Sequence, residues 1–170
     1  RPDPDAQAIA KAVELLRRAK KPFVIAGNGA IRKLASSQLR GLVGRHHVPV
    51  ANTFMGQGAV SDDSPESLFT IGFGFRDLVM DAVDQADLIL AVGYDIAEYA
   101  PEAWNPRLDK TIVHIDFTPA EVYTHYQPAV EVVADIAATL RTLNQALGDG
   151  ALAHDPSWYA PIRKRIQDDI

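Results

Sequence analysis

The chain has 170 residues, 47% apolar and 23% charged, proportions that support a single domain with a sizeable core and exclude a disordered segment. Its 17 Lys and Arg against 22 Asp and Glu leave a net charge of -5, which argues against a nucleic-acid partner held by its phosphates. With 0 Cys, a disulfide framework, a thiolate zinc site and a Cys nucleophile are excluded, and no apolar run approaches the ~18–20 residues of a membrane span.

The first residues, Arg1-Pro2-Asp3-Pro4-Asp5, lack the apolar core of a signal peptide, and a cytoplasmic setting is expected. The chain starts without Met and reads as a segment of something longer. Ile9, Val13 and Leu16, with Leu15 beside them, recur at helical spacing and predict a helix over about residues 4–19. Asp3 is its expected N-cap, and Arg17, Arg18, Lys20 and Lys21 gather at the end where cations suit the helix dipole. Pro22-Phe23-Val24-Ile25-Ala26 follows as an unbroken apolar run, closed by Gly27-Asn28-Gly29 and then by helical spacing at Ala35, Leu39, Leu42 and Val43. Such a run, ending in a Gly turn ahead of a helix, has the character of a buried parallel strand.

The unit repeats along the chain. Val48-Pro49-Val50-Ala51 is a second strand; Leu78, Val79, Ala82 and Val83 mark a helix; residues 87–92 form a third strand ending at Gly93. Residues 111–115 form a fourth strand ending at Asp116, residues 130–133 a fifth, and Ile136, Leu140, Leu143 and Leu147 a closing helix. The segment 148–151 reads as a linker, and Trp158, Ile162 and Ile166 share the face of a tail helix expected to dock on a neighbouring domain. Alternating strands and helices predict a three-layer, Rossmann-like α/β domain, its sheet mostly parallel and covered on both faces.

Ligands of open α/β sheets bind outside the carboxyl ends of the strands. Those ends carry Gly27, Asn28 and Gly29; Asn52, Thr53, Phe54, Met55 and Gly56; Gly93 and Tyr94; and Asp116. The glycines let backbone N–H groups approach a phosphate. Gly27-Asn28-Gly29-Ala30-Ile31-Arg32 lacks the third Gly of the dinucleotide fingerprint, and Asn52 stands where an NAD-binding strand ends in an acid, so a standard NAD site is disfavoured. Gly72-Phe73-Gly74 is another G-x-G, with no clear strand before it. Asp116 is either an acceptor for ribose hydroxyls or the cap of the turn 116–119. The histidines form no metal set: His46-His47 share a helix end, His114 packs within a strand, and His125 and His154 are isolated. A nucleotide-sized site emerges with no evident acid, base or nucleophile.

Three of these segments, 22–29, 48–58 and 86–93, resemble in order and spacing the central domain of thiamine diphosphate-dependent enzymes, along roughly residues 5–147. A narrower likeness lies in 93–99, Trp104-Asn105-Pro106, His114-Ile115-Asp116, Tyr126-Gln127-Pro128 and 133–136, with Phe73-Gly74-Phe75-Arg76 in keeping. That set resembles acetolactate synthase of the catabolic, flavin-independent kind. The resemblance implies a domain of the DHS-like NAD/FAD-binding type over 1–147 and a linker with tail helix over 148–170. It also implies a parent enzyme that decarboxylates pyruvate and condenses it with a second pyruvate. Thiamine diphosphate and Mg2+ would then be held by flanking domains of the same chain, in a homo-oligomer, and this domain alone would be inactive. Gly148-Asp149-Gly150 looks like the start of the family's diphosphate motif but follows a helix and has no Asn after it, so it is read as a linker.

Some relatives bind FAD or ADP in this domain. By that resemblance the cofactor-binding positions are Gly27, Asn28, Gly29, Thr53, Phe54, Met55, Gly72, Gly93, Asp116 and Asp135. Flavin users carry Arg-Phe where this chain has Tyr94-Asp95, and Met-His where it has Phe73-Gly74. Asp95 would repel a flavin diphosphate, and Tyr94 and Phe73 are expected to fill the groove. Two readings stand: a structural module without catalytic residues, and an FAD- or ADP-binding module of another thiamine diphosphate-dependent decarboxylase or carboligase.

Overall fold

β1 (Pro22–Ala26) is buried at every residue, because both of its faces are covered. The computed structural model describes residues 3–72, 78–150 and 152–169. β1 lies between β2 (Val50–Asn52) and β4 (Leu88–Val92), and all pairings are parallel. β3 (Ser67–Thr70) extends the sheet beyond β2, and β5 (Thr111–Asp116) and β6 (Val130–Val133) extend it beyond β4. The order of this six-stranded sheet is β3-β2-β1-β4-β5-β6. It reverses between β1 and β4, the switch point where open sheets form a ligand crevice.

Helices α1 (Ala6–Arg18), α2 (Lys33–His46) and α5 (Ile136–Leu147) cover one face, packing Leu16, Leu39 and Leu140 against Val24, Leu90, Val113 and Val132. Helices α3 (Val79–Gln85) and α6 (Ala160–Asp168), with Trp104 of α4 (Pro101–Trp104), cover the other over Phe23, Ile25, Leu68, Ile89 and Ile112. Successive residues of β1 and β4 therefore serve opposite cores, which explains their unbroken apolar runs. Among the described residues, no helix is long and apolar enough to cross a membrane.

Three features differ from the sequence reading. The cap of α1 is Asp5, whose carboxylate accepts the Ala8 N–H at 2.9 Å; Asp3 lies too far ahead of the first turn. A strand does precede Gly72. β3 was hidden because its Ser and Thr ends leave little apolar signal, and its register against β2 shifts around Phe69, whose φ is 68°. The tail helix packs on this domain. Tyr159 and Ile162 are buried in the second core, and the Arg163 guanidinium donates to the carbonyls of Ser67 and Asp62 and lies 4.9 Å from the Phe69 ring.

Candidate functional site

The glycines at the strand ends pack backbone against backbone. Gly93 has φ 60°, and a Cβ there would lie 2.5 Å from Gly29 Cα. Gly29 N–H donates to the Gly93 carbonyl at 2.9 Å, Gly27 N–H to Val92 at 2.9 Å, and Thr53 N–H to Ala26 at 2.9 Å. A side chain at Gly27 would stand 2.5 Å from the Gly93 carbonyl oxygen and 2.8 Å from Glu98 Oε2. The turns after β1, β2 and β4 are thus closed on one another, and the group lying over Gly27 is a carboxylate of the chain itself.

That carboxylate is held by donors from three strand ends. Asn28 N–H donates to Glu98 Oε1 at 2.9 Å, and the Thr53 hydroxyl donates to the same oxygen at 2.8 Å. Asp95 N–H donates to Oε2 at 2.9 Å. The local sequence sets this up. In Asp95-Ile96-Ala97-Glu98, the Asp95 side chain accepts the Ala97 N–H at 2.8 Å while Glu98 reaches back to the Asp95 N–H. This is the reciprocal capping pattern of an acid followed three residues later by Glu. Sequence reasoning assigned the repelling acid to Asp95, but Asp95 is exposed and turned into its own loop; the acid in the crevice is Glu98. The D-x-x-E spacing after a strand-end Gly was the available signal.

The other positions marked from sequence do not all converge. Gly27, Asn28 and Thr53 meet at Glu98, and Gly29 and Gly93 pack against each other beside Gly27. Phe54 and Met55 are 62% and 53% exposed and begin a short 3-10 turn (Phe54–Gly56) capped by Thr53, whose hydroxyl also accepts the Gly56 N–H at 3.1 Å. Gly72 faces the Tyr99 ring, 3.0 Å from where its Cβ would lie. Asp116 accepts the following Phe117 N–H at 2.7 Å. Asp135 is the N-cap of α5 and accepts the Ala138 N–H at 2.9 Å. Phe73-Gly74-Phe75-Arg76 lies outside the described residues.

Below β4 and β5 an aromatic cluster closes the neighbouring space. Tyr94 and Trp104 meet edge-on at 5.9 Å, and Tyr126 lies 5.5 Å from Tyr94. Trp104 Nε1 donates to the Tyr94 hydroxyl at 3.2 Å, and that hydroxyl donates to the Tyr99 carbonyl. Tyr126 pairs with His114 Nδ1 at 2.7 Å, and His114 Nε2 donates to the Thr118 carbonyl at 3.0 Å, so this histidine is fully engaged. Burial pushes the Tyr94 and Tyr126 phenols well above their ordinary range, so both remain protonated donors. The cavity left beside Tyr94, Asp95, His114 and Asp116 measures about 40 Å³, room for water and not for an organic ring. Among the described residues, no group of three or more His, Cys, Asp or Glu is placed to hold a metal ion. His154, expected to be isolated, is instead tied to the end of α2, donating through Nε2 to the His46 carbonyl at 2.7 Å.

Fold and site together define a doubly wound, all-parallel α/β domain whose crevice at the switch point is filled from within. Residues 9–143 match the family model described as "Thiamine pyrophosphate enzyme, central domain", and the chain belongs to that family. It is 36% identical over 135 residues to "Acetolactate synthase" of Bacillus subtilis, a match covering 78% of this chain and 24% of that protein. It is 33% identical over 162 residues to "Probable acetolactate synthase large subunit" of Methanocaldococcus jannaschii, covering 91% of this chain and 26% of that protein. "Acetolactate synthase 1, chloroplastic" of Oryza sativa is 33% identical over 147 residues, 85% of this chain and 22% of that protein. The chain thus spans about a quarter of the length of these relatives.

Proposed function

We propose that this chain is the central, non-catalytic domain of an acetolactate synthase-type enzyme, where it packs against and orients the flanking catalytic domains of the same polypeptide. The observation that carries the reading is the near full-length match to proteins named acetolactate synthase, of which it accounts for about a quarter. The parent reaction converts two pyruvates into acetolactate and carbon dioxide. Thiamine diphosphate with Mg2+ supplies the carbanion-stabilising chemistry, from domains outside this chain.

The structural role within the parent is supported by the crevice. A nucleotide diphosphate would need the donors that Glu98 already occupies, and the cavity beside Tyr94, Asp95, His114 and Asp116 measures about 40 Å³. The alternative of an FAD- or ADP-binding module is the weaker reading for that reason.

The test is to supply pyruvate, thiamine diphosphate and Mg2+ to this chain alone and to the polypeptide that includes its flanking domains. Acetolactate is expected from the longer protein and none from the chain alone. Turnover of pyruvate by the chain alone overturns the non-catalytic assignment. A longer protein that releases carbon dioxide without forming acetolactate overturns the product while leaving the family intact.

A further inference from the structure

We propose that Glu98 is the built-in occupant of an oxyanion site, and that this carboxylate sets the specificity of the crevice by keeping out the diphosphate of an ADP-type nucleotide. The proposal deepens the reading of a structural module and rests on it.

Three observations carry the inference. The donors to Glu98 come from the turns after β1, β2 and β4, on both sides of the switch point, where sheets of this order receive phosphates. Their bond lengths of 2.8–2.9 Å are those an anionic oxygen takes from N–H and O–H groups, whether it belongs to a carboxylate or a phosphate. Finally, the space left by the missing side chain of Gly27 is shared by the Gly93 carbonyl oxygen at 2.5 Å, Tyr94 Cα at 2.7 Å and Glu98 Oε2 at 2.8 Å from a Cβ built there, so the carboxylate reaches the backbone where only a glycine leaves room. A glycine admits close approach of an anion to the backbone, and here the approaching anion is internal.

A local cap alone does not account for this arrangement. Capping the 95–98 turn needs a bond from Asp95 N–H to Oε2. Oε1 is turned away from that turn, to Asn28 and Thr53 on two other strand ends. The capping turn instead fixes the side chain in place, so that Oε1 stays in the crevice. A phosphate entering beside it meets a like charge and finds its donors taken.

The experiment compares the 170-residue chain with its E98A and E98Q variants. The probes are ADP and inorganic phosphate, with thermal melting for affinity and amide chemical shifts of Asn28 and Asp95 for location. The wild-type chain is expected to show no melting shift at millimolar ADP. E98A is expected to bind ADP at least tenfold more tightly, with both amides moving. If removing Glu98 leaves the chain too unstable, E98Q keeps the side-chain length without the charge and is expected to gain ADP binding to a lesser degree. A folded E98A that binds neither probe overturns the proposal and leaves the structural-module reading standing. Wild-type binding of ADP as tight as that of E98A overturns both. Equal response to phosphate and ADP overturns the nucleotide assignment, and unfolding of both variants makes Glu98 a structural clamp and overturns the proposal as well.

Discussion

Gly93 and Gly44 show how differently two glycines weigh in one chain. At Gly93 a methyl group would strike the Gly29 backbone at 2.5 Å while the residue holds φ 60°. Overpacking and left-handed strain together set the cost of Gly93→Ala at about 3 kcal/mol, read as a lower urea midpoint with an unchanged slope. Gly44 lies within α2 with nothing within 4 Å of its missing Cβ, so Gly44→Ala is expected to stabilise by roughly 0.5–1 kcal/mol in the same assay. The strand-end glycines were legible in the sequence because they followed apolar runs. Their reason was not: they serve contact between turns as much as approach to a ligand. Glu98 escaped notice for a related cause. Its three donors come from residues near 28, 53 and 95, and convergence of that kind is a property of the sheet order, invisible to local spacing.

Among the elements, the strands with two covered faces were readable, and those with weak apolar signal were not. β1 and β4 announced themselves through unbroken runs of five buried residues. β3 did not, and without it the partner of α6 was missing too, so the tail seemed to have nothing in this domain to cover. The tail also closes the end of α2. His154 donates to the His46 carbonyl and the Tyr159 hydroxyl to the His47 carbonyl at 3.0 Å, satisfying orphan acceptors of the helix. The remaining nitrogens, His154 Nδ1 and His46 Nε2, are buried without a hydrogen-bond partner among the described residues. Burial holds both imidazoles below the ordinary value of 6.5, helped at His46 by Arg45 and His154 and at His154 by His47; opposing it are Asp149 and a Gly148 backbone hydrogen bond at His46, and at His154 first the hydrogen bond to the His46 backbone, then Asp155 and Asp87. The unfolded chain therefore takes up protons first. Stability is full above pH 6.5 and declines as pH falls through that value toward the lower folded values. Urea midpoints at pH 8 and pH 5 should differ in that direction, and His154→Gln should narrow the difference. An unchanged gap would mean that His154 is not one of the groups responsible.

For the molecule as a whole, the alternation of strands and helices identified the α/β class and the parallel sheet, and the order β3-β2-β1-β4-β5-β6 then placed the crevice. Sequence could name the residues near that crevice without saying whether it was open. Openness depends on which side chain returns to it, and the returning residue lies on a separate turn. The topology also makes cooperativity a global property. β1 has β2 on one side and β4 on the other, with Phe23 opposite Ile89 and Val24 opposite Leu90. A fragment ending at residue 86 leaves β1 and both cores half-covered. It is expected to show no protected amides in hydrogen exchange, whereas the whole chain protects β1 and β4 together. Slow exchange in the fragment would show that the first half folds independently.

The register of β1 with β4 bears on how this domain emerges during synthesis. Synthesis proceeds at about 5–20 residues per second, so Phe23-Val24-Ile25 leaves the ribosome several seconds before Ile89 and Leu90 can pair with it. During that interval the β4-facing edge of this wholly buried strand is unpaired, open to the same segment of another nascent chain. Newly made molecules are thus most vulnerable to clumping between synthesis of β1 and synthesis of β4, and holding factors that shield apolar strands have their greatest effect on yield in that interval.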